Sequence, residues 1–326
     1  LDKLRGILRI GLIGFWGAGL AVAGAQQKTE LHRFTFTEYH MGVDARLVVY
    51  APSQQVAVTA CTAAFERIAA LDSIMSDYQI RSELMRLSDR SGTGPVAVSP
   101  ELFKVLTVSQ KISSLSEGLF DVTIGPLVRV WRKARKTGVL PTPEEIRQAR
   151  KLVGWKNMTL DPASRSVRLA LRGMKLDLGA IGKGYADDEA QIVLRAHGIT
   201  RALVDMGGDI VVTDPPPGEA GWSFEIPNAG KSEEDVPKMR FANCAVSTSG
   251  DTEEFAMIGG KRYSHVIDPH TGQALTQRVQ ATVITKTGLL ADPISTAMTL
   301  LGPRGRKRLL HAYPDLKVYV KKLPGR

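Results

Sequence analysis

The chain has 326 residues, of which 43% are apolar, 23% charged and 6% aromatic. This ordinary globular composition excludes collagen-like and wholly disordered classes, and two cysteines exclude a disulfide scaffold or a cysteine zinc site. The formal net charge is +10, and its local clusters, Arg129–Lys136 and Arg304–Arg308, lack the interleaved aromatics or glycines of nucleic-acid modules, so no nucleic-acid partner is expected.

Residues 1–9 carry Lys3, Arg5 and Arg9, residues 10–25 are uncharged, and Ala23 and Ala25 stand in an A-x-A arrangement before Gln26. A basic start, a short apolar run and small residues at the cut predict a secretory signal over 1–25 and a soluble, exported, periplasmic protein. The alternative is an uncleaved inner-membrane anchor, although the run falls short of the roughly 20 apolar residues a spanning helix needs. Residues 33–50 then alternate as a β-hairpin around Met41-Gly42. Val56, Ala60, Ala64, Ile68 and Leu71 form one face of a helix over 54–72. Ser99-Pro100-Glu101 caps a helix running to about Gly118, and Pro141–Glu145 opens another that ends near Gly154.

Two short strands flank the turn at Asp161-Pro162, and a helix is predicted from Ala180 to Ala196. Residues 201–213 read as two strands broken by Gly207-Gly208, and 222–287 as strands with turns. A helix over 289–301 and a last strand over 316–321 complete the order. Strands and helices mix without regular βαβ units and without a sequence repeat, so the expected class is α+β.

Four segments offer chemistry. Gly179-Ala180-Ile181-Gly182-Lys183-Gly184 fits neither phosphate-loop template, yet glycines at a strand-to-helix junction leave N–H groups open to an anion, with Asp177 before them and Lys183 just inside the helix. The plainer reading is glycine for close packing. Asp292 and Thr296, four apart on one helix, offer hard oxygens suited to Mg²⁺; alternatively Asp292, directly before Pro293, caps the helix. Asp251 lies in the polar turn 247–254, and His265 sits between apolar neighbours as a general base or a core histidine. Tyr78 and Phe120 could stack on a ring system or simply fill core. Cys61 and Cys244 read as small buried residues, with a disulfide left open by export.

Eight ordered blocks between about residues 38 and 302 resemble the ApbE family of FAD:protein FMN transferases. They are Y-H-M-G (39–42), M-S-D-Y…S-E-L (75–84), G-L-F-D-V-T-I-G-P-L (118–127), D-L-G-A-I-G-K-G-Y-A-D-D (177–188), M-G-G-D-I (206–210), V-S-T-S-G-D (246–251), Y-S-H-V-I-D-P-H-T-G (263–272) and A-D-P-I-S-T-A (291–297). The resemblance implies one large α+β domain over 26–326, related to the T-fold, with duplicated halves. It implies Mg²⁺-dependent transfer of FMN from FAD to a threonine (or serine) hydroxyl of an acceptor flavoprotein, with release of AMP. Met41, Tyr78, Leu119, Phe120, Asp121, Asp177, Lys183 and Ile267 would contact FAD. The Ala180 carbonyl, Asp292 and Thr296 would hold Mg²⁺, and His265, ahead of Asp251, would be the base. Membrane-bound acceptors would bring the enzyme to a lipid surface. Two departures stand out: Val43 replaces the usual threonine of M-G-T, and Gly182 replaces an alanine before Lys183. Two rival readings remain, a Mg²⁺-dependent FAD pyrophosphatase and a non-catalytic exported flavin binder.

Overall fold

The computed structural model describes residues 30–226, 236–250 and 255–323, so the segment read as a secretory signal and Asp251 lie outside the described residues. β1 (His32–His40) and β2 (Val43–Ala51) form the predicted hairpin, in register from His32↔Ala51 to His40↔Val43. Met41 at φ 50° and Gly42 at φ 84° supply the two left-handed residues that a tight hairpin turn requires. Helix α1 (Gln54–Met75) is capped by Ser53 and buries the predicted face of Ala60, Ala64, Ile68 and Leu71. The chain continues through α2 (Glu83–Asp89), β3 (Val96–Ala97), α3 (Pro100–Leu115), α4 (Gly125–Thr137), α5 (Pro143–Arg150), β4 (Met158–Asp161) and β5 (Ser166–Leu169). After α6 (Gly182–Ala196) come β6 (Ala202–Met206), β7 (Asp209–Val212), β8 (Trp222–Glu225), β9 (Lys238–Phe241) and β10 (Cys244–Gly250). The hairpin β11 (Phe255–Ile258) and β12 (Lys261–Ser264) precedes β13 (Val279–Thr285), α7 (Gly288–Leu300), α8 (Pro303–Ala312) and β14 (Lys317–Lys322).

Seven strands make one sheet in the order β1-β2-β6-β7-β10-β13-β14, every neighbouring pair antiparallel. The chain builds it in two runs of like order. β1 and β2 are followed by helices and then β6 and β7; β10 and β13 are followed by α7 and α8 and then β14. These are the two halves expected from the resemblance, and they lie side by side at the β7–β10 seam.

Burial explains the layers. Helices α1, α6 and α7 cover one face over a main core that includes Leu47, Ile68, Ala186, Val204, Ala281 and Ile294. The β8–β9 ribbon covers part of the other face with Trp222 and Phe241 against Val48, Leu203 and Ile284. A third cluster packs Leu127, Trp131 and Ile146 of α4 and α5 against Tyr263 and Ile267.

Helices α2, α4 and α8 were not predicted, and two of them are the basic clusters. In α4, Leu127, Trp131 and Ala134 form a narrow buried stripe beneath Arg132, Lys133, Arg135 and Lys136. So few apolar positions among so many charges read as solvated surface until the stripe is seen to be covered.

One end of the sheet gathers the functional segments. The Met41-Gly42 and Gly207-Gly208 turns lie there together because Ala45 pairs with Met206, and a Cβ on Gly207 would sit 2.9 Å from Val43. β10 finishes at the same end, with Gly250 opposite Gln280.

Candidate active site

Helices α6 and α7 cross at two glycines. A Cβ on Gly184 would lie 2.2 Å from the Gly288 carbonyl oxygen, an approach only glycine permits. The crossing lays Asp292, 3% exposed, against α6, where its Oδ2 accepts the Gly184 N–H at 3.2 Å. Asp292 does not cap α7. The Asp188 carboxylate does, accepting the Gly288 and Leu289 N–H groups at 2.7 and 2.9 Å, while Asp292 stands a turn further on with Pro293 inside the helix.

Thr296 follows one turn later on the same face, its Oγ1 3.0 Å from Ser249 Oγ. Ser249 lies 2.7 Å from Ser295, which is 3.0 Å from Ser247, and Ser247 bonds to Asp209. Lys183 completes the line, its Nζ 3.1 Å from Asp209 Oδ2 and donating to the Gly179 carbonyl at 3.0 Å. Two of the sequence-predicted residues, Lys183 and Thr296, are thus joined by a hydroxyl chain, and Ser295 of that chain donates to the Asp292 backbone carbonyl at 2.8 Å. Asp209 and the three serines were missed as individuals, although the M-G-G-D-I, V-S-T-S-G-D and A-D-P-I-S-T-A blocks contain them.

The centre carries a surplus of buried acid. Burial, with Asp209 adding to it, pushes the Asp292 carboxyl up to about 7 against the opposing pull of Lys183 and the Gly184 N–H. Asp187 is wholly buried on α6, and neither of its oxygens has a hydrogen-bond partner. Burial first, then Asp209, Asp188, Asp205 and Asp292, raise its carboxyl well above the ordinary range. Buried carboxylates facing one lysine, with the Thr296 hydroxyl a turn away, fit a hard divalent cation. Among the described residues no three His, Cys, Asp or Glu side chains form a metal cage, so an ion here would complete its shell with substrate or water oxygens.

A second group surrounds Arg132, which the sequence showed only as part of a basic cluster. It donates to Asp177 Oδ2 at 3.2 Å, pairs with Asp77, and lies 4.2 Å from the centre of the Tyr78 ring. Asp177 is pushed up to about 6 by burial and Asp77, and its Oδ1 accepts the Gly179 N–H at 2.9 Å. Tyr78 is 73% exposed. Met41 reaches the start of α6, its Cε 3.3 Å from where a Gly182 Cβ would stand, so the glycine that departs from the family pattern makes room for it.

A third group is tied to the second through the Asp177 N–H, which donates to the Val122 carbonyl at 2.8 Å. Asp121 accepts from the Thr123 N–H and hydroxyl at 2.8 and 2.7 Å and from the Trp155 N–H at 2.8 Å, and burial raises its carboxyl despite them. With Gly118, Trp155 and His270 it borders a cavity of about 310 Å³, and Leu119 borders a neighbouring one of about 610 Å³ with Arg304 and Arg308.

The remaining sequence-predicted residues lie in packed or half-buried surroundings. Phe120 is 4% exposed within the main core, so its ring has no open face for stacking. The N–H groups of the glycine segment are largely committed: Gly179 to Asp177, Ile181 and Gly182 to the Leu178 carbonyl, and Gly184 to Asp292. That segment is a close-packed helix start whose cationic contribution comes from Lys183. Ile267, 4% exposed, packs with Leu127 and Trp131. His265 follows the last residue of β12 and is half-buried, between Ser264 and Val266, which the Leu275 backbone holds on both sides. Cys61 and Cys244 are both free thiols.

The two-run antiparallel sheet, the glycine crossing and the acidic centre at one end of the sheet define an α+β protein of the ApbE type. The chain belongs to the ApbE family, whose model matches residues 41–320. It is 31% identical over 232 residues to the FAD:protein FMN transferase of Vibrio cholerae, covering 70% of this chain and 69% of that protein. Identity to the FAD:protein FMN transferase of Escherichia coli is 31% over 255 residues, 76% of this chain and 72% of that protein. The solved flavin transferase ApbE from Vibrio cholerae matches with a TM-score of 0.79 at 26% identity, over 90% of this chain and 97% of that one.

Proposed function

We propose that this protein is a transferase that moves FMN from FAD to a threonine (or serine) hydroxyl of an acceptor flavoprotein and releases AMP. The observation that carries the reading is the Asp292–Thr296 pair held against Lys183 at the α6–α7 crossing, in a chain whose relatives are named FAD:protein FMN transferases. Asp292, Thr296 and the Ala180 carbonyl would hold Mg²⁺, which when bound supplies Lewis-acid polarisation of the phosphoryl oxygens. Lys183 adds positive field where the pyrophosphate charge lies, and its salt bridge to Asp209 fixes the ammonium in place. The open Tyr78 ring, steadied by Arg132, offers a stacking surface for a planar ring of the substrate. In the transfer, the acceptor oxygen bonds to the FMN phosphorus as the pyrophosphate P–O bond breaks and AMP departs. The acceptor proton goes to a base, His265 ahead of Asp251.

The reading also sets the protein outside the cytoplasm, exported by residues 1–25 or held by them at the inner membrane, where membrane-bound acceptors meet it. Among the described residues no helix is long and apolar enough to cross a membrane.

The test mixes the protein with FAD, Mg²⁺ and a flavoprotein carrying an acceptor threonine, then reads flavin fluorescence in a denaturing gel beside an EDTA control. A fluorescent acceptor band that disappears with EDTA is the expected result. Free FMN and AMP without a band would instead identify a pyrophosphatase, and intact FAD a binder.

A further inference from the structure

The two edges of the seven-stranded sheet are unlike. β14 closes one side with the sequence KVYVKK, in which Lys317 and Lys322 are exposed, a common guard against strand pairing. β1 closes the other side with nine residues, and between its exposed Arg33 and Glu38 the four residues Phe34 to Thr37 carry no charge. Its Phe34 and Phe36 side chains pack on the core while Thr35, Thr37 and Tyr39 are exposed, so the strand is anchored, regular and rich in β-formers. Among the described residues no strand pairs with its outer edge. Alternate N–H and C=O groups of an edge strand point outward, ready to form a ladder with an extended segment.

The direction of β1 says what such a segment would do. The strand ends at His40 and turns at Met41, whose side chain reaches Gly182 beside Lys183 and the Asp292 contact. A strand added at this edge would run about 4.8 Å outside β1, and the residues following it past the Met41 turn would lie on the side of the sheet where Gly182 and Lys183 begin α6. Tyr39, 72% exposed, stands at that end as an aromatic anchor. We propose that β1 is the docking edge for the acceptor polypeptide, which adds to the sheet as an extended strand and delivers its hydroxyl-bearing residue past the Met41 turn. The proposal rests on the transferase reading. It assigns acceptor recognition largely to main-chain hydrogen bonds, which tolerate different acceptor sequences, while the residues flanking the added strand set specificity.

Hydrogen exchange of the full chain tests it, using an acceptor in which the target threonine is replaced by valine. The expected result is exchange slowed about 10-fold or more at alternate amides of residues 33–39, with residues 317–322 unchanged. Protection of β1 already present without acceptor would mean that a second copy or the chain's own N-terminal residues cover the edge, and would overturn the proposal. So would protection confined to other segments. A kinetic arm uses Thr37→Cys carrying a bulky polyethylene-glycol maleimide, with the unlabelled variant as folding and FAD-binding control. Labelling should lower transfer at subsaturating acceptor about 10-fold while FAD binding is kept. Unchanged transfer by the labelled protein sinks the docking proposal alone, whereas a wild type that labels no acceptor sinks the transferase reading and this proposal with it.

Discussion

Asp292 and Asp187 are both buried acids on facing helices, yet they differ in what surrounds them. Asp292 accepts the Gly184 N–H and has Thr296 one turn away, so in the proposed site its ionised form would serve to hold a cation. Asp292→Ala should retain the fold, measured by circular dichroism, while Mg²⁺-dependent transfer falls to background; wild-type turnover would refute the metal assignment. Asp187 has no partner for either oxygen, and its replacement by the apolar valine removes a desolvation penalty. Asp187→Val is expected to stabilise the metal-free protein by about 1–3 kcal/mol in urea titration, and a loss of stability would mean that the carboxyl has a hidden structural role. His265→Ala should still bind FAD but transfer FMN about 10²–10⁴-fold more slowly, and an unchanged rate would remove it as base. At this scale the sequence was informative where spacing encodes proximity: Asp292 and Thr296 share a face because they are four apart on a helix. It was silent on Arg132 and the serine chain, whose members come from separate elements and meet only through pairing and packing.

Among the elements, the α6–α7 crossing is the joint on which the site depends. Gly184→Ala would drive a methyl into the Gly288 carbonyl and displace the Asp292 contact, so the variant should lose about 1–3 kcal/mol or more and bind Mg²⁺ weakly. Gly302→Ala has open space at the same test and should be near neutral; equal losses from both would show that the crossing is not the cause. The hairpin turn, the α1 face and the Ser99 cap were legible because each is encoded locally. The glycine segment Gly179–Gly184 was legible only as two possibilities, an anion loop or a packing contact. The partner that decides between them, Gly288, lies more than a hundred residues away. Helices α4 and α8 were hidden by their own charge, since the same arginines and lysines that suggest a solvated face flank the buried stripes of Trp131 and Leu309.

For the whole molecule, buried acids make stability depend on pH in a definite sense. Asp177 and Asp188 are raised to about 6 and Asp292 to about 7, mainly by burial, above the ordinary value of 3.8. Between those values the folded chain holds protons that the unfolded chain has released, so these groups stabilise the fold most at low pH, and that contribution is lost as pH rises from about 4 to about 7. Scanning calorimetry in EDTA should therefore find a lower Tm at pH 7.5 than at pH 5. Mg²⁺ should narrow the gap by favouring ionised carboxylates, and a gap indifferent to Mg²⁺ would place these acids outside any cation site. The α+β class and most of the succession of elements along the chain followed from pattern, but the sheet order and the side-by-side halves did not, because no sequence repeat marks them. That seam has a temporal consequence. The first half contributes Met41, Asp177, Lys183 and Asp209 to the centre, and the second contributes Ser249, Asp292 and Thr296. On the proposed function, a nascent chain thus owns half a site and would hold neither ion nor nucleotide until α7 has docked on α6. Ligand capture reports that synthesis and folding have both run nearly to the end, and a chain cut short anywhere before that helix would be inert rather than half-active.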